Sequence, residues 1–576
     1  MDGVKLATNS AEFRVWAPHA KQVKLQTLRS GAPPADILML SSADDIFHAS
    51  TAAGCGDRYS YIVDKSQPVP DPVSRLLPQG VHGPTEIVPP ESPWTDHAWR
   101  GLDLHDYIIY ELHVGTFTPK GNFDGVIERL DYLKNLGITA LELMPVAAFP
   151  GVRNWGYDGV SPYAVQASYG GPNALKRLVD AAHRAGIAVI LDVVYNHLGN
   201  EGNYFRLFGP YFTDRHHTPW GEAINYDSPG CEHVREYFIE NALYWIREYH
   251  FDGLRLDAIQ TIHDDSPLHI VAAIQENVQR LAHELGRKVC VIAETDENNA
   301  AYVLPRSSGG MGLDAVWSDD FHHALHALLT GEREGYYQDF GSKKQLVRAL
   351  NEGFVFQGEF FKFWNRARGT PSRQMPLPAH VICIQNHDQV GNRARGDRLS
   401  TLVPRGACKL AAALLLLAPE TPLLFMGEEF GETTPFQFFT DFGDATLRKA
   451  VSEGRRNEFK DFLSFGGEVP DPQDPETFER SKLSWDLISS KNADMLDWYR
   501  QLIAIRKKFL SAGGRTCDAQ LIDGTITVRT PAVQPRILIT LQFPDSKTAL
   551  PRPPGNWDQL LSSDEDGYHV YVARGL

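Results

Sequence analysis

The sequence predicts an α/β protein: a (β/α)8 TIM barrel with an N-terminal β-sandwich and a small C-terminal β domain. Eight short apolar runs alternate with amphipathic stretches through the middle of the chain, which is the pattern of repeated strand and helix units. Both ends instead carry short alternating runs cut by Gly, Pro and Asp, the pattern of antiparallel sheets. Three acids, Asp257 in GLRLDAI, Glu294 in VCVIAE and Asp388 in VICIQNHD, each end one of the apolar runs. A carboxylate beside a core asks for a partner or a job.

Taken in order, FRVWA, VKLQTL and YSYIV lie in a first domain over residues 1–90, read as an immunoglobulin-like sandwich. The Pro-rich stretch VHGPTEIVPPESPW suggests a linker at about residues 81–100. The barrel follows over 91–512. Its strands are expected at 107–114, 138–146, 187–194, 253–259, 289–294, 315–317, 381–384 and 422–426. Between them FDGVIERLDYLKNLG, NALKRLVDAAHRAG, REYFIENALYWIREYH and LHIVAAIQENVQRLAHELG space apolar residues by three and four, as helices do. The sixth strand, AVW, is the shortest, and the His-rich segment after it has no plain helical or strand signature. An aromatic, turn-rich insertion occupies about 198–230. MLDWYRQLIAIRKKFL closes the barrel, and alternating runs return in a domain over 513–576.

At 576 residues, 43% of them hydrophobic, the chain has material for several ordinary cores. Its formal charge of -16 repels phosphate backbones and anionic lipid, so neither nucleic acid nor membrane is expected as a partner. The six cysteines are widely spaced with no CxxC, and Cys290 and Cys383 fall in expected strands, which suggests a reducing cytoplasm and no zinc site. The start has no apolar leader, and the longest apolar stretch, Leu410 to Ala418, is too short to span a bilayer.

In such a barrel the side chains at the C-terminal strand ends converge. Asp257, Glu294 and Asp388 end the fourth, fifth and seventh strands, so a pair of carboxyls at retaining-glycosidase spacing, roughly 5 Å, is within reach. Arg255 shares the inner face with Asp257 by strand periodicity and would keep it charged and oriented; an internal ion pair without catalytic work is the competing reading. Glu294 has no cation near it in sequence, and a half-buried acid of that kind can have the raised pKa of a proton donor, or merely cap a loop. Asn-His recurs in DVVYNH and QNHD, and neutral imidazoles at His197 and His387 are expected to donate to sugar hydroxyls. No HxH or HExxH spacing supports a metal site. Of the aromatic insertion, Trp220 is the residue singled out as a platform for a sugar ring.

DVVYNH, GLRLDAI, VIAE and QNHDQ, in this order, resemble the four signature regions of the α-amylase superfamily of glycoside hydrolases. That resemblance implies Asp257 as nucleophile, Glu294 as general acid/base and Asp388 as transition-state stabiliser. It also implies Arg255, His197 and His387 as residues of the same sugar subsite, Tyr157 of WGYDG as a stacking residue and Asp192 as a structural acid. FRVWAPHAKQVKL resembles the N-terminal sandwich of isoamylases and branching enzymes. HLGNEGNYFRLFGPYF, HTPWGEAINYD, SDDFHHALHALLTGEREGYYQDF and NHDQVGNRARGDR are similar to the trehalose-releasing members of the superfamily. The function so implied is cleavage of maltooligosyltrehalose beside its trehalose end, in a pathway with the synthase that makes this substrate. A branching or debranching enzyme is the alternative. Neither a cofactor nor an obligatory metal is expected, since calcium-binding amylases carry a larger insertion after the third strand. A glycan-binding protein on an inactive barrel would lack one of the acids, and all three are present.

Overall fold

The eight apolar runs form one closed parallel barrel in the computed structural model. It describes residues 3–575 apart from 9, 30, 43, 90–92, 460–468, 491, 511–516, 531–535 and 547–555. The strands are β1 (Ile109–Leu112), β2 (Ala140–Leu143), β3 (Ala188–Val193), β4 (Gly253–Leu256), β5 (Cys290–Ala293), β6 (Ala315–Trp317), β7 (His380–Cys383) and β8 (Thr421–Phe425), with β8 pairing back to β1. Each is buried along its whole length, which is why the sequence reads as continuous apolar runs. Register sets Asp192 of β3 opposite Arg255 of β4. Cys290 and Cys383 are buried strand residues, and all six cysteines are unpaired.

The helices α1 (Gly171–Ala185), α2 (Cys231–Glu248), α3 (Ile270–Leu285), α4 (Asp319–Thr330), α5 (Arg405–Leu417) and α6 (Ala493–Phe509) pack outside the strands. FDGVIERLDYLKNLG, expected as one helix, is two, Phe123–Ile127 and Leu130–Leu136, the first capped by the Asn122 side chain. The His-rich segment is α4, with Asp319 and Asp320 in its first turn where the helix dipole favours them. The apolar run from Leu410 lies in α5, buried and packed against both α6 and the C-terminal sheet. No helix among the described residues is long and apolar enough to cross a membrane.

At the N-terminus two four-stranded antiparallel sheets face each other over Phe13, Val23, Leu25, Phe47 and Tyr61. At the other end five antiparallel strands form one sheet, in which Asp523–Gly524 and Asp566–Gly567 make the hairpin turns with positive φ throughout. The stretch expected as a linker is largely packed structure. Thr85–Glu86 pairs with Tyr59 and Arg58 as an edge strand. Beyond residues 90–92, which lie outside the described residues, Trp94 stacks on His250 at 3.8 Å and Trp99 on His183 at 4.8 Å. Proline content limits regular structure without excluding packing, and two tryptophans bring enough apolar area to dock the segment after residue 92.

Candidate active site

Five successive strand ends, β3 to β7, build the centre around one guanidinium. Arg255 is 0% exposed in β4 and donates from Nη1 to Asp192 Oδ1 and Oδ2 (3.1 and 3.0 Å) and to Asp257 Oδ1 (2.8 Å). Its Nη2 lies 3.8 Å from Glu294 Oε2 and 3.9 Å from Asp388 Oδ2, and its Cζ sits 4.3 Å above the Trp317 ring at the end of β6. The three acids thus converge on the cation that sequence periodicity had attached to Asp257 alone. Glu294, which has no cation near it in sequence, has one in space.

Each acid is held differently. Asp257 Oδ2 accepts from the Asn196 amide at 2.7 Å, and Asn196 also holds the Asp257 carbonyl. Glu294 Oε2 accepts the Ala258 N–H at 2.6 Å; Ala258 adopts the left-handed conformation (φ 41°), a costly choice for alanine that turns this N–H toward the acid. Burial, with the charges of Asp257 and Asp388, raises the Glu294 pKa to about 8 against the opposing pull of Arg255. Asp388 is the most open of the three and sits on the short helix His387–Gly391, which the Asn386 side chain caps through the Gln389 N–H. Gly391 of that helix lies against Trp155 so closely that a Cβ would stand 2.1 Å from the ring.

The two histidines differ from each other, and one differs from expectation. Burial lowers the His197 pKa, but both ring nitrogens are already engaged, Nε2 with the Tyr157 carbonyl at 2.9 Å and Nδ1 with Asn196 Oδ1. It serves instead as the base on which Trp220 stacks, 4.3 Å between centroids and 11° between planes. His387 is not the neutral imidazole expected. Burial opposes its charge, yet Asp388 and Glu111 outweigh burial and lift its pKa to about 9. Tyr157 stacks on His387 and donates its hydroxyl to Asp192 Oδ2 at 2.6 Å. Burial likewise raises the Asp192 pKa, to about 6.

Above these groups opens a cavity of about 1390 Å³, much larger than one sugar ring. Trp220, at the tip of a hairpin formed by Phe212–Thr218 and Gly221–Ile224, is 45% exposed on one wall. The segment between α4 and β7 supplies other aromatics, Tyr336, Phe363 and Trp364. Sequence reading missed these, since a long insertion without periodicity gives no sign of which rings face inward. It also missed Trp317, Asn196 and Glu111. Trp317 was the most accessible of them, because it ends a strand just as the acids do.

A parallel barrel whose strand ends gather three carboxyls around a buried arginine is the architecture of the α-amylase class of glycosidases. A family model for the α-amylase catalytic domain matches residues 70–217. A malto-oligosyltrehalose trehalohydrolase of Saccharolobus solfataricus is 46% identical over 521 residues, covering 90% of this chain and 88% of its own. A 1,4-alpha-glucan branching enzyme of Leifsonia xyli is 28% identical, over 73% of this chain and 59% of its own. A crystal structure of a putative alpha amylase from Salmonella typhimurium superposes with a TM-score of 0.91 at 40% identity, covering 100% of this chain and 99% of that one. The chain belongs to the malto-oligosyltrehalose trehalohydrolase family.

Proposed function

We propose that the chain is a retaining glycoside hydrolase that cleaves the α-1,4 bond next to the terminal trehalose of maltooligosyltrehalose, releasing trehalose and a maltooligosaccharide. The observation that carries the reaction is the unequal treatment of two carboxyls beside one guanidinium. Asp257 accepts from Arg255 and Asn196, while Glu294, buried and farther from the cation, has its pKa raised to about 8, in the range a proton donor needs. In this reading Glu294 gives its proton to the oxygen of the departing trehalose as Asp257 attacks C1 of the neighbouring glucose. The C1–O bond breaks, trehalose leaves, and a glycosyl ester on Asp257 remains. Glu294, now a base, takes a proton from water, whose oxygen attacks C1 and frees Asp257 with retained configuration. Asp388 and Tyr157 line the cavity at this sugar, and Arg255 and His387, buried behind them, balance charge.

The cleaved bond is an ordinary maltosidic linkage, so selectivity for a trehalose end falls to the cavity walls, where Trp220 faces the insertion before β7. Six unpaired cysteines fit a cytoplasmic enzyme working after the synthase that supplies its substrate. Incubation with maltotriosyltrehalose and, separately, maltopentaose tests the reading. Released trehalose at a far higher rate than any cleavage of maltopentaose is expected, whereas new α-1,6 links would point to branching. Asp257→Asn should keep the fold by circular dichroism and lose turnover; full activity in that variant overturns the assignment.

A further inference from the structure

Glu111, third residue of β1 and 1% exposed, spends both oxygens on one residue. Oε2 accepts the His387 backbone N–H at 2.9 Å, and Oε1 meets Nδ1 of the same ring. A carboxylate only accepts, so Nδ1 carries a hydrogen. The other nitrogen is settled by its neighbour. The single hydroxyl proton of Tyr157 goes to Asp192 Oδ2, which also accepts from Arg255, so at 2.7 Å Tyr157 can only accept from His387 Nε2. Both ring nitrogens donate, and the ring is an imidazolium. On its own element Asp388 lies 3.4 Å from Nε2. Arg255 of β4 opposes the ring's charge, whereas His113 beside β1, whose pKa burial lowers to about 4, carries none; Asp192 of β3 and Glu142 of β2 lie close enough to interact with it.

We propose that Glu111 is a positioning residue of this centre, which fixes His387 through both backbone and ring and holds it as a cation under the reacting sugar. Neither Glu111 nor His387 lines the cavity; Glu111 holds His387, which lies against the lining residues Tyr157 and Asp388. Its consequence is charge balance: Arg255 alone faces Asp192, Asp257, Glu294 and Asp388, and His387 supplies the second positive charge beside Asp388. The proposal rests on the hydrolase reading above, but its primary test does not use activity.

Histidine ring 15N NMR of the whole enzyme near neutral pH reads the state directly, with His387→Gln identifying the signals. The wild type is expected to show both nitrogens of His387 protonated. In Glu111→Gln the amide oxygen can still accept the backbone N–H, but its NH2 group faces Nδ1, so the ring should revert to a neutral tautomer. The kcat should fall about 10–100-fold, the scale of loss when a carboxylate that orients a metal-bound histidine is removed, with little change in KM. Glu111→Asp should recover the doubly protonated signals. A neutral His387 in the wild type, or an unchanged ring in Glu111→Gln, overturns the proposal. Failure of the wild type to release trehalose would overturn the hydrolase reading instead and leave the histidine result standing.

Discussion

Glu294 shows how far distance and burial divide chemically similar groups. Its carboxyl and that of Asp257 meet the same guanidinium, at 3.8 and 2.8 Å, and the more distant acid has its pKa raised to about 8 by burial and by two neighbouring acids. A proton donor with that pKa is present below it and lost above it. We therefore expect kcat/KM on the trehalose-ended substrate to fall about tenfold per pH unit above roughly pH 8. A maltosyl fluoride, whose leaving group needs no proton, should show no such limb in its glycosylation step. Equal alkaline profiles for the two substrates would remove Glu294 from the donor role. The acids were legible in sequence as charges stranded at the ends of apolar runs. The charge on His387 was not, because Glu111 lies 276 residues away and Tyr157 lies 230 away.

At the scale of elements, the short helix His387–Gly391 decides where Asp388 stands. Asn386 caps it and Trp155 supports it, while Trp155 is itself fixed by stacking on Phe436 at 5.3 Å and by donating Nε1 to the Gln437 carbonyl at 2.9 Å. The ring cannot yield easily to a methyl group placed at Gly391. Gly391→Ala should cost about 1–3 kcal/mol of stability through overpacking, and kcat/KM should drop at least about tenfold as the helix shifts Asp388. Wild-type rate together with wild-type melting temperature would show that the contact has no bearing on the site. Strands were the elements most plainly written in the sequence, since a buried parallel strand is apolar throughout. The break between Phe123–Ile127 and Leu130–Leu136 was not, because continuous spacing of apolar residues survives a two-residue interruption.

For the molecule as a whole, the segment before the barrel acts as a strap across the end away from the active site. Asp252 accepts from Trp99, Arg287, His183 and the Val189 N–H, each at 2.8 or 2.9 Å, and His183 also reaches Asp96 at 2.7 Å. Burial opposes the charges of Asp96, Asp252 and His183, yet pairing lowers the pKa of the two acids and raises that of the histidine. The acids contribute stability above their unfolded pKa of about 4, and it is lost as pH falls. The histidine's contribution is full below its unfolded value of about 6.5 and is lost as pH rises through its raised one. The strap should therefore be firmest between about pH 4 and 6.5. Asp252→Asn should cost about 3–5 kcal/mol by leaving Arg287 and His183 poorly paired, and should flatten the alkaline decline in melting temperature. Parallel melting curves for variant and wild type across pH 5 to 9 would refute this. By itself the sequence determined the barrel and the β-rich segments on either side of it, and marked three acids at strand ends, because hydrophobic periodicity and strand-end charge are local properties of the chain. Only the tertiary structure decided which acid is buried and raised in pKa, which groups surround His387, which rings wall the cavity and that the supposed linker is a strap. Those depend on groups hundreds of residues apart meeting in a low-dielectric interior, where an ångström of distance to one arginine outweighs the chemical likeness of two carboxyls.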